Sequence, residues 1–315
     1  MNKVFRMDFI KKTAAVSVAA MILPHQILKG KTNNLSNDKL NIGGVGTVVQ
    51  PDDNKKRLSF LNKPYPVIAG IISGQTPQEL IAGVRNSESE GADGITIDLF
   101  DLKLEFRNAE SFKCITDSVH LPFMFYFYRE DKWKESSEDD RQEVLLAAAD
   151  GGASMIDVLG DLYDPSPKEI TYNKSAIDKQ KRLIDKIHSK GADVVMSLHT
   201  GCYLSTEETL KHMLELESRG PDIVKIVTTI NTEEELAEAL NTTIALNSEL
   251  KIPFIHLCSG KFSRPHRFMC PVLGTTLVFA VPYYSNRYPN LAQPTIKSMK
   301  AVLGSIRWNI NDIKA

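Results

Sequence analysis

His199 and Lys225 are the pair in this sequence best suited to covalent chemistry. His199 ends the apolar run Asp193-Val194-Val195-Met196-Ser197-Leu198-His199, and Lys225 interrupts the apolar run Asp222-Ile223-Val224-Lys225-Ile226-Val227. A buried ammonium is expensive, so a lysine in such a run is paired, stands at the wet end of a strand, or is held neutral. If the two runs are neighbouring parallel strands, amine and imidazole lean into one pocket at the carboxyl edge of the sheet. That pairing suits imine formation on a ketone, with the imidazole as general acid and base. Alone, each residue is read as easily as a satisfied structural group; it is their joint placement that points to chemistry.

Positioning them requires a regular alternation of strands and helices, and the sequence has one. Between the two runs lies a helix opened by Ser205-Thr206-Glu207-Glu208, whose Ser and Glu make a capping box, and closed near Gly220. Strands are expected over 67–72, 92–99, 121–128 and 154–159, then the two runs above, then 252–257 and 275–281. Thr76-Pro77-Gln78-Glu79 supplies an N-cap, an N1 proline and an N3 glutamate for the first helix. A charged loop is expected over 129–140, before a helix from Arg141 to Asp150, and Asn231-Thr232-Glu233-Glu234 starts another. Eight strand–helix units over about 250 residues predict an α/β fold, a (β/α)8 TIM barrel. An open doubly wound sheet is the rival, and the first strand lacks the glycine-rich fingerprint of its dinucleotide-binding version.

The 315 residues are 42% hydrophobic and 24% charged, with a net charge of -1. Without a basic run carrying interleaved aromatics, nucleic acid is not an expected partner. Residues 1–28 read as an export signal, with Lys3, Arg6, Lys11 and Lys12 around a short apolar run from Thr13 to Leu23. Arg6-Met7-Asp8-Phe9-Ile10-Lys11-Lys12 resembles a twin-arginine motif with Met7 at the second arginine, so the export route, twin-arginine or general secretory, stays open. The expected location is periplasmic or extracellular, with no stable membrane insertion once the signal is removed. Residues 29–64 read as a polar linker or arm, and 65–315 as the catalytic barrel. Cys114, Cys202, Cys258 and Cys270 show no metal-binding spacing, though Cys202 and Cys258 fall near strand ends that could line the pocket.

With these elements placed, the chain resembles the type I 3-dehydroquinate dehydratases. The likeness rests on Ser197-Leu198-His199, Asp222-Ile223-Val224-Lys225-Ile226, Gly260-Lys261-Phe262-Ser263-Arg264, Gly274-Thr275-Thr276-Leu277-Val278-Phe279-Ala280 and Gln293, with Gly91-Ala92-Asp93 and Met155-Ile156-Asp157 in support. The resemblance implies that Lys225 forms the imine and that His199 removes the adjacent proton and then protonates the departing hydroxyl. It implies an arginine gripping a carboxylate, which is Arg264 counted from Gly260 and Arg267 counted back from Gly274. Gln293 would sit on a loop closing over the substrate. No cofactor and no metal are implied, and a homodimer is implied only by the resemblance.

The polar contacts around this core depart from the family pattern. Thr96-Ile97-Asp98 stands where the family has Glu-x-Arg, Tyr128 where an arginine ends the third strand, with Arg129 one place late, and Lys132 where a glutamate follows. Leu159 replaces an acidic residue, and Pro289 a serine. Recognition through bidentate or hydrogen-bonded contacts does not survive such exchanges. The expectation is therefore a dehydratase-like lyase with a remodelled pocket, acting on a small molecule such as a β-hydroxy keto acid or an oxidised polyol. Asp98, Tyr128, Arg129, Arg264, Arg267 and Gln293 are the candidate substrate contacts. A class I aldolase and a catalytically silent small-molecule-binding barrel are the alternatives. A metal site built from Asp98, Asp157, His199 and His256 is a further rival, which Lys225 would oppose. Tyr126, Tyr128 and Trp133 could stack on a ring or fill the core, and Tyr283 to Tyr288, with Arg287, reads as part of a lid.

Overall fold

Eight short apolar runs, buried almost throughout, form the strands, as all-parallel sheets covered on both faces require. In a computed structural model that describes residues 57–64, 66–284 and 292–313 they are β1 Val67–Ser73, β2 Gly94–Asp98, β3 Phe123–Tyr126, β4 Met155–Leu159, β5 Asp193–His199, β6 Ile223–Thr229, β7 Phe254–Ser259 and β8 Leu277–Ala280. All pairings are parallel and the order is β7-β6-β5-β4-β3-β2-β1-β8. Thr276 donates from its backbone to the Phe254 carbonyl at 2.9 Å, bringing the two end strands together in a nearly closed barrel. The helices between strands are α1 Pro77–Ser89, α2 Ala109–Thr116, α3 Glu138–Asp150, α4 Lys174–Ser189, α5 Thr206–Glu217, α6 Glu233–Glu249, α7 Ser263–Met269 and α8 Ile296–Ile306. This is the (β/α)8 TIM barrel that the alternation predicts, and the open doubly wound alternative is set aside.

Local chemistry sets the helix starts. Thr76 caps α1 by accepting from the Glu79 amide, and Ser205–Glu208 and Thr232–Glu235 form reciprocal capping boxes on α5 and α6. Two elements differ from the sequence reading. Helix α3 begins at Glu138, inside the expected charged loop, because Ser137 and Asp140 also form a capping box. Helix α7 lies in a stretch with no expected helix; it buries Ser263, His266 and Arg267, followed by Cys270, the i, i+3, i+4, i+7 stripe of a one-sided helix.

The chain divides into two units, Met1–Asp53 and Asn54–Ala315, and every described residue belongs to the second. The export segment expected over 1–28, most of the arm expected over 29–64, Arg287 of the expected lid, and Pro289 lie outside the described residues. The end of that arm does pack on the barrel. Phe60 is fully buried, and a Cβ on Gly94 would come within 2.4 Å of its ring, so glycine is what lets the aromatic reach the start of β2. Ser59 hydrogen-bonds Asp193 at 2.6 Å, and Arg57 donates to the Ala153 carbonyl at 3.0 Å. Among the described residues no helix is long and apolar enough to cross a membrane.

Candidate active site

Side chains alternate along β6, sending Lys225 and Val227 inward and Thr228 outward toward the helices. In the β5–β6 register Ser197 faces Lys225 and His199 faces Val227, so the imidazole stands one inward layer nearer the carboxyl edge than the amine. Both line a cavity of about 250 Å³ together with Ile71, Tyr126, Tyr128, Leu257, Ser259, Arg267, Phe279 and Gln293.

The amine is buried and held on two sides. Lys225 Nζ donates to Tyr128 Oη at 2.6 Å and to Asp157 Oδ2 at 3.1 Å, and Tyr128 Oη donates to the same carboxylate oxygen at 2.9 Å. Ser197 Oγ closes the network on Asp157 Oδ1. The ammonium also lies 5.1 Å from the centre of the Phe279 ring and 5.4 Å from that of Tyr128. Burial, reinforced by the charge of Asp157, holds the Tyr128 phenol well above its ordinary value. It therefore stays protonated, accepting from the lysine while donating to the aspartate.

Tyr128 also connects the lysine to the histidine. Its ring meets that of His199 edge-on at 4.8 Å and stacks on Tyr126 at 4.7 Å. Strand β3 ends at Tyr126, so Tyr128 extends the same inward face two residues past the strand, where the sequence expectation had the strand continue. His199 is held by a carboxylate from a remote loop. Glu169 Oε2 lies 2.9 Å from His199 Nδ1 and accepts from the His199 backbone amide at 2.8 Å. With Nδ1–H donated to Glu169, the lone pair sits on Nε2, which fixes the tautomer. Glu169 itself has φ 53°, a left-handed conformation unusual for a non-glycine residue, in a loop without a recognisable motif.

The anion-gripping candidates separate. Arg267 is buried, donates from Nε to the Cys258 carbonyl at 2.7 Å and from Nη1 to Gln293 Oε1 at 2.9 Å, and lines the cavity with Gln293. Arg264 is exposed on the other side of α7, 3.2 Å from the Tyr284 hydroxyl, and is not a cavity residue. Arg129 also turns away, engaged by Glu138 at 2.8 Å and by buried Asp161 at 2.8 Å. The cause is local in both cases: the stripe on α7 fixes which of the two alternative arginines faces inward, and two carboxylates outside the cavity engage Arg129.

Asp98 ends β2 and accepts from the Phe100 amide at 3.0 Å, outside the cavity lining, and burial raises its carboxyl to about 6. Trp133 donates to the Asp101 carbonyl at 2.9 Å and does not line the cavity. The metal set imagined from Asp98, Asp157, His199 and His256 is not assembled, because Asp157 is committed to Lys225 and His256 points outward to Thr243 of α6. Cys258 likewise points outward, packing with Ala239 and Leu236, and Cys202 is exposed; neither lines the cavity.

Residues 68–309 match the family model for type I 3-dehydroquinase. A stretch of 133 residues, 42% of this chain, is 30% identical to a 3-dehydroquinate dehydratase of Alkaliphilus oremlandii, and the match spans about half of that curated relative, 51%. The solved 3-dehydroquinate dehydratase of Geobacillus kaustophilus superposes with a TM-score of 0.65 at 16% identity, covering 78% of this chain and 92% of that one. The type I enzyme of Clostridium difficile, solved with covalently modified comenic acid, gives 0.65 at 18%, covering 78% and 93%. At those identities the structures speak for the fold alone.

Proposed function

Since the chain belongs to the type I 3-dehydroquinase family, we propose that it is a Schiff-base lyase that dehydrates a small β-hydroxy keto acid or oxidised polyol, with Lys225 as nucleophile and His199 as general acid and base. The family and the fold support a dehydratase-like function. The observation that carries the finer reading is the shared cavity, in which the Lys225 amine and the His199 imidazole both contact Tyr128.

The chemistry follows from those contacts. Lys225 gives up a proton, for which Asp157 at 3.1 Å is the adjacent acceptor, and the free amine adds to the substrate ketone. Loss of water gives an iminium, which acidifies the neighbouring C–H. His199 Nε2 takes that proton, leaving an enamine, and Glu169 stabilises the imidazolium as it forms. The enamine expels the β-hydroxyl, which leaves as water with the proton returned by His199. Hydrolysis of the conjugated iminium then frees Lys225 and an unsaturated ketone. Arg267, oriented by Gln293, offers a planar guanidinium to a substrate carboxylate.

The remainder of the pocket argues for a substrate other than the family's own. Tyr126 and Tyr128 present aromatic faces, and Asp98 lies just outside the lining, where charged contacts are expected. A cavity of about 250 Å³ limits the substrate to a small molecule. Export by residues 1–28 belongs to the same reading, since an exported enzyme meets substrates outside the cytosol. A reporter fused to those residues and retained in the cytosol would remove that element.

Borohydride trapping tests the mechanism. A keto acid that is turned over is expected to leave a reduced adduct on Lys225, absent in Lys225→Ala; turnover without an adduct overturns it. The buried Lys225–Asp157 ion pair favours one second reading, a binding barrel whose amine never reacts. That reading requires ligand binding to survive in Lys225→Ala and no turnover in wild type.

A further inference from the structure

Behind the barrel wall, away from the cavity, β7 sends His256 and Cys258 outward from the same face, and α7 brings His266 against them. One potential ligand atom from each of the three lies within 4.8 Å of the other two, and all three residues are buried. Among the described residues this is the one grouping of three such ligands. The two rings meet edge-on at 4.7 Å.

Thr243 on α6 shows what the rings have available. Its hydroxyl donates to the Ala239 carbonyl at 2.9 Å, and it contacts His256 Nδ1 at 2.9 Å and His266 Nε2 at 3.1 Å. A hydroxyl has a single proton, so both ring nitrogens facing it are N–H donors. In its neutral form each imidazole then carries its lone pair on the far nitrogen. His266 Nδ1, one of those, is buried without any partner. Two imidazoles of borderline softness and one soft sulfur, in an apolar shell with the His266 Nδ1 lone pair unpartnered, make a donor set suited to a late d10 ion.

We propose that His256, Cys258 and His266 form a buried site for a thiophilic d10 ion, Cu+ in preference to Zn2+. Three donors match the low coordination of Cu+, whereas structural zinc takes four. Charge points the same way, because the buried Arg267 guanidinium bonds the Cys258 carbonyl at 2.7 Å. Binding Cu+ replaces the S–H proton by the metal, releases that proton to solvent, leaves copper monovalent and adds no net charge. Zn2+ with one thiolate would leave an extra positive charge beside the guanidinium. The ion would tie α7 to β7, and with it Arg267, which follows His266 directly.

The full chain, produced in copper- or zinc-supplemented medium and kept anaerobic, is analysed for metal content and by copper-edge X-ray absorption, in competition with a Cu+ chelator. The expected result is one copper per chain with one sulfur and two nitrogen neighbours, and retention falling at least about tenfold in Cys258→Ser and in His266→Gln. Unmetallated wild type, or copper retained equally by folded Cys258→Ser, overturns the site. Zinc held in place of copper overturns the charge argument. Because the metal content and absorption spectrum are read on wild type, a variant that fails to fold leaves the test intact, and turnover by Lys225 does not enter it.

Discussion

Replacing Tyr128 by phenylalanine isolates the contact that joins the amine to its carboxylate. The ring, with its contacts to Tyr126 at 4.7 Å and His199 at 4.8 Å, is kept, while the hydroxyl bonds to Lys225 at 2.6 Å and Asp157 at 2.9 Å are deleted. Each is a hydrogen bond to a charged group, generally worth about 1.5–3 kcal/mol. The direct Lys225–Asp157 contact at 3.1 Å survives, so the charges remain paired and the full cost of orphaning a buried ion, about 3–5 kcal/mol, is not reached. A loss of about 2–4 kcal/mol is expected, lowering the melting temperature by about 5–15 °C for a domain of this size. Urea unfolding of Tyr128→Phe, Asp157→Asn and the double variant measures it, and the two changes are expected to be coupled by at least about 1 kcal/mol. The yield of borohydride adduct on Lys225 should fall in Tyr128→Phe as well, which a packing role alone would not produce. A destabilisation below about 0.5 kcal/mol, or strict additivity with Asp157→Asn, would show that the phenol does not bridge the pair and would undo the reasoning.

Other consequences are separable. His199→Ala should still trap substrate on Lys225 while losing about 10²–10⁴-fold in turnover; an equal loss of adduct and turnover would deny the imidazole its proton-transfer role. Glu169→Gln should lower kcat by about 10²-fold with little change in KM, because it removes the charge facing the developing imidazolium; a change confined to KM would contradict this. Arg267→Lys should raise KM for carboxylate substrates while Arg264→Ala stays close to wild type, and steady-state kinetics showing the reverse would misplace the anion site. The Asp98 carboxyl is raised to about 6 by burial against about 3.9 in an unfolded chain. Its protonated form is thus favoured by folding, so its contribution is fully present below pH about 4 and is lost as pH rises through 6. Asp98→Asn should therefore gain stability over wild type at pH 8 relative to pH 4, and melts showing no such trend would rule the shift out.

The order of elements, the barrel and the strands bearing His199 and Lys225 were legible from local information alone. Apolar runs of strand length, helix stripes and caps at Thr76, Ser205 and Thr232 act within a few residues, and alternation with a period of two fixes which face a residue takes. What surrounds the two reactive groups was not legible, because it comes from far away in the chain. Lys225 meets Tyr128 and Asp157 across 97 and 68 residues, and His199 meets Glu169 across 30. No short-range rule selects a loop carboxylate over the nearer candidates. The choice between Arg264 and Arg267 sits between these cases: the stripe Ser263, His266, Arg267, Cys270 is present in the sequence, but it carries meaning only once α7 exists to read it. Closing the barrel decides the rest, since only a closed sheet brings the ends of β3, β4, β5 and β6 around one cavity and lets a single tyrosine touch both the amine and the imidazole.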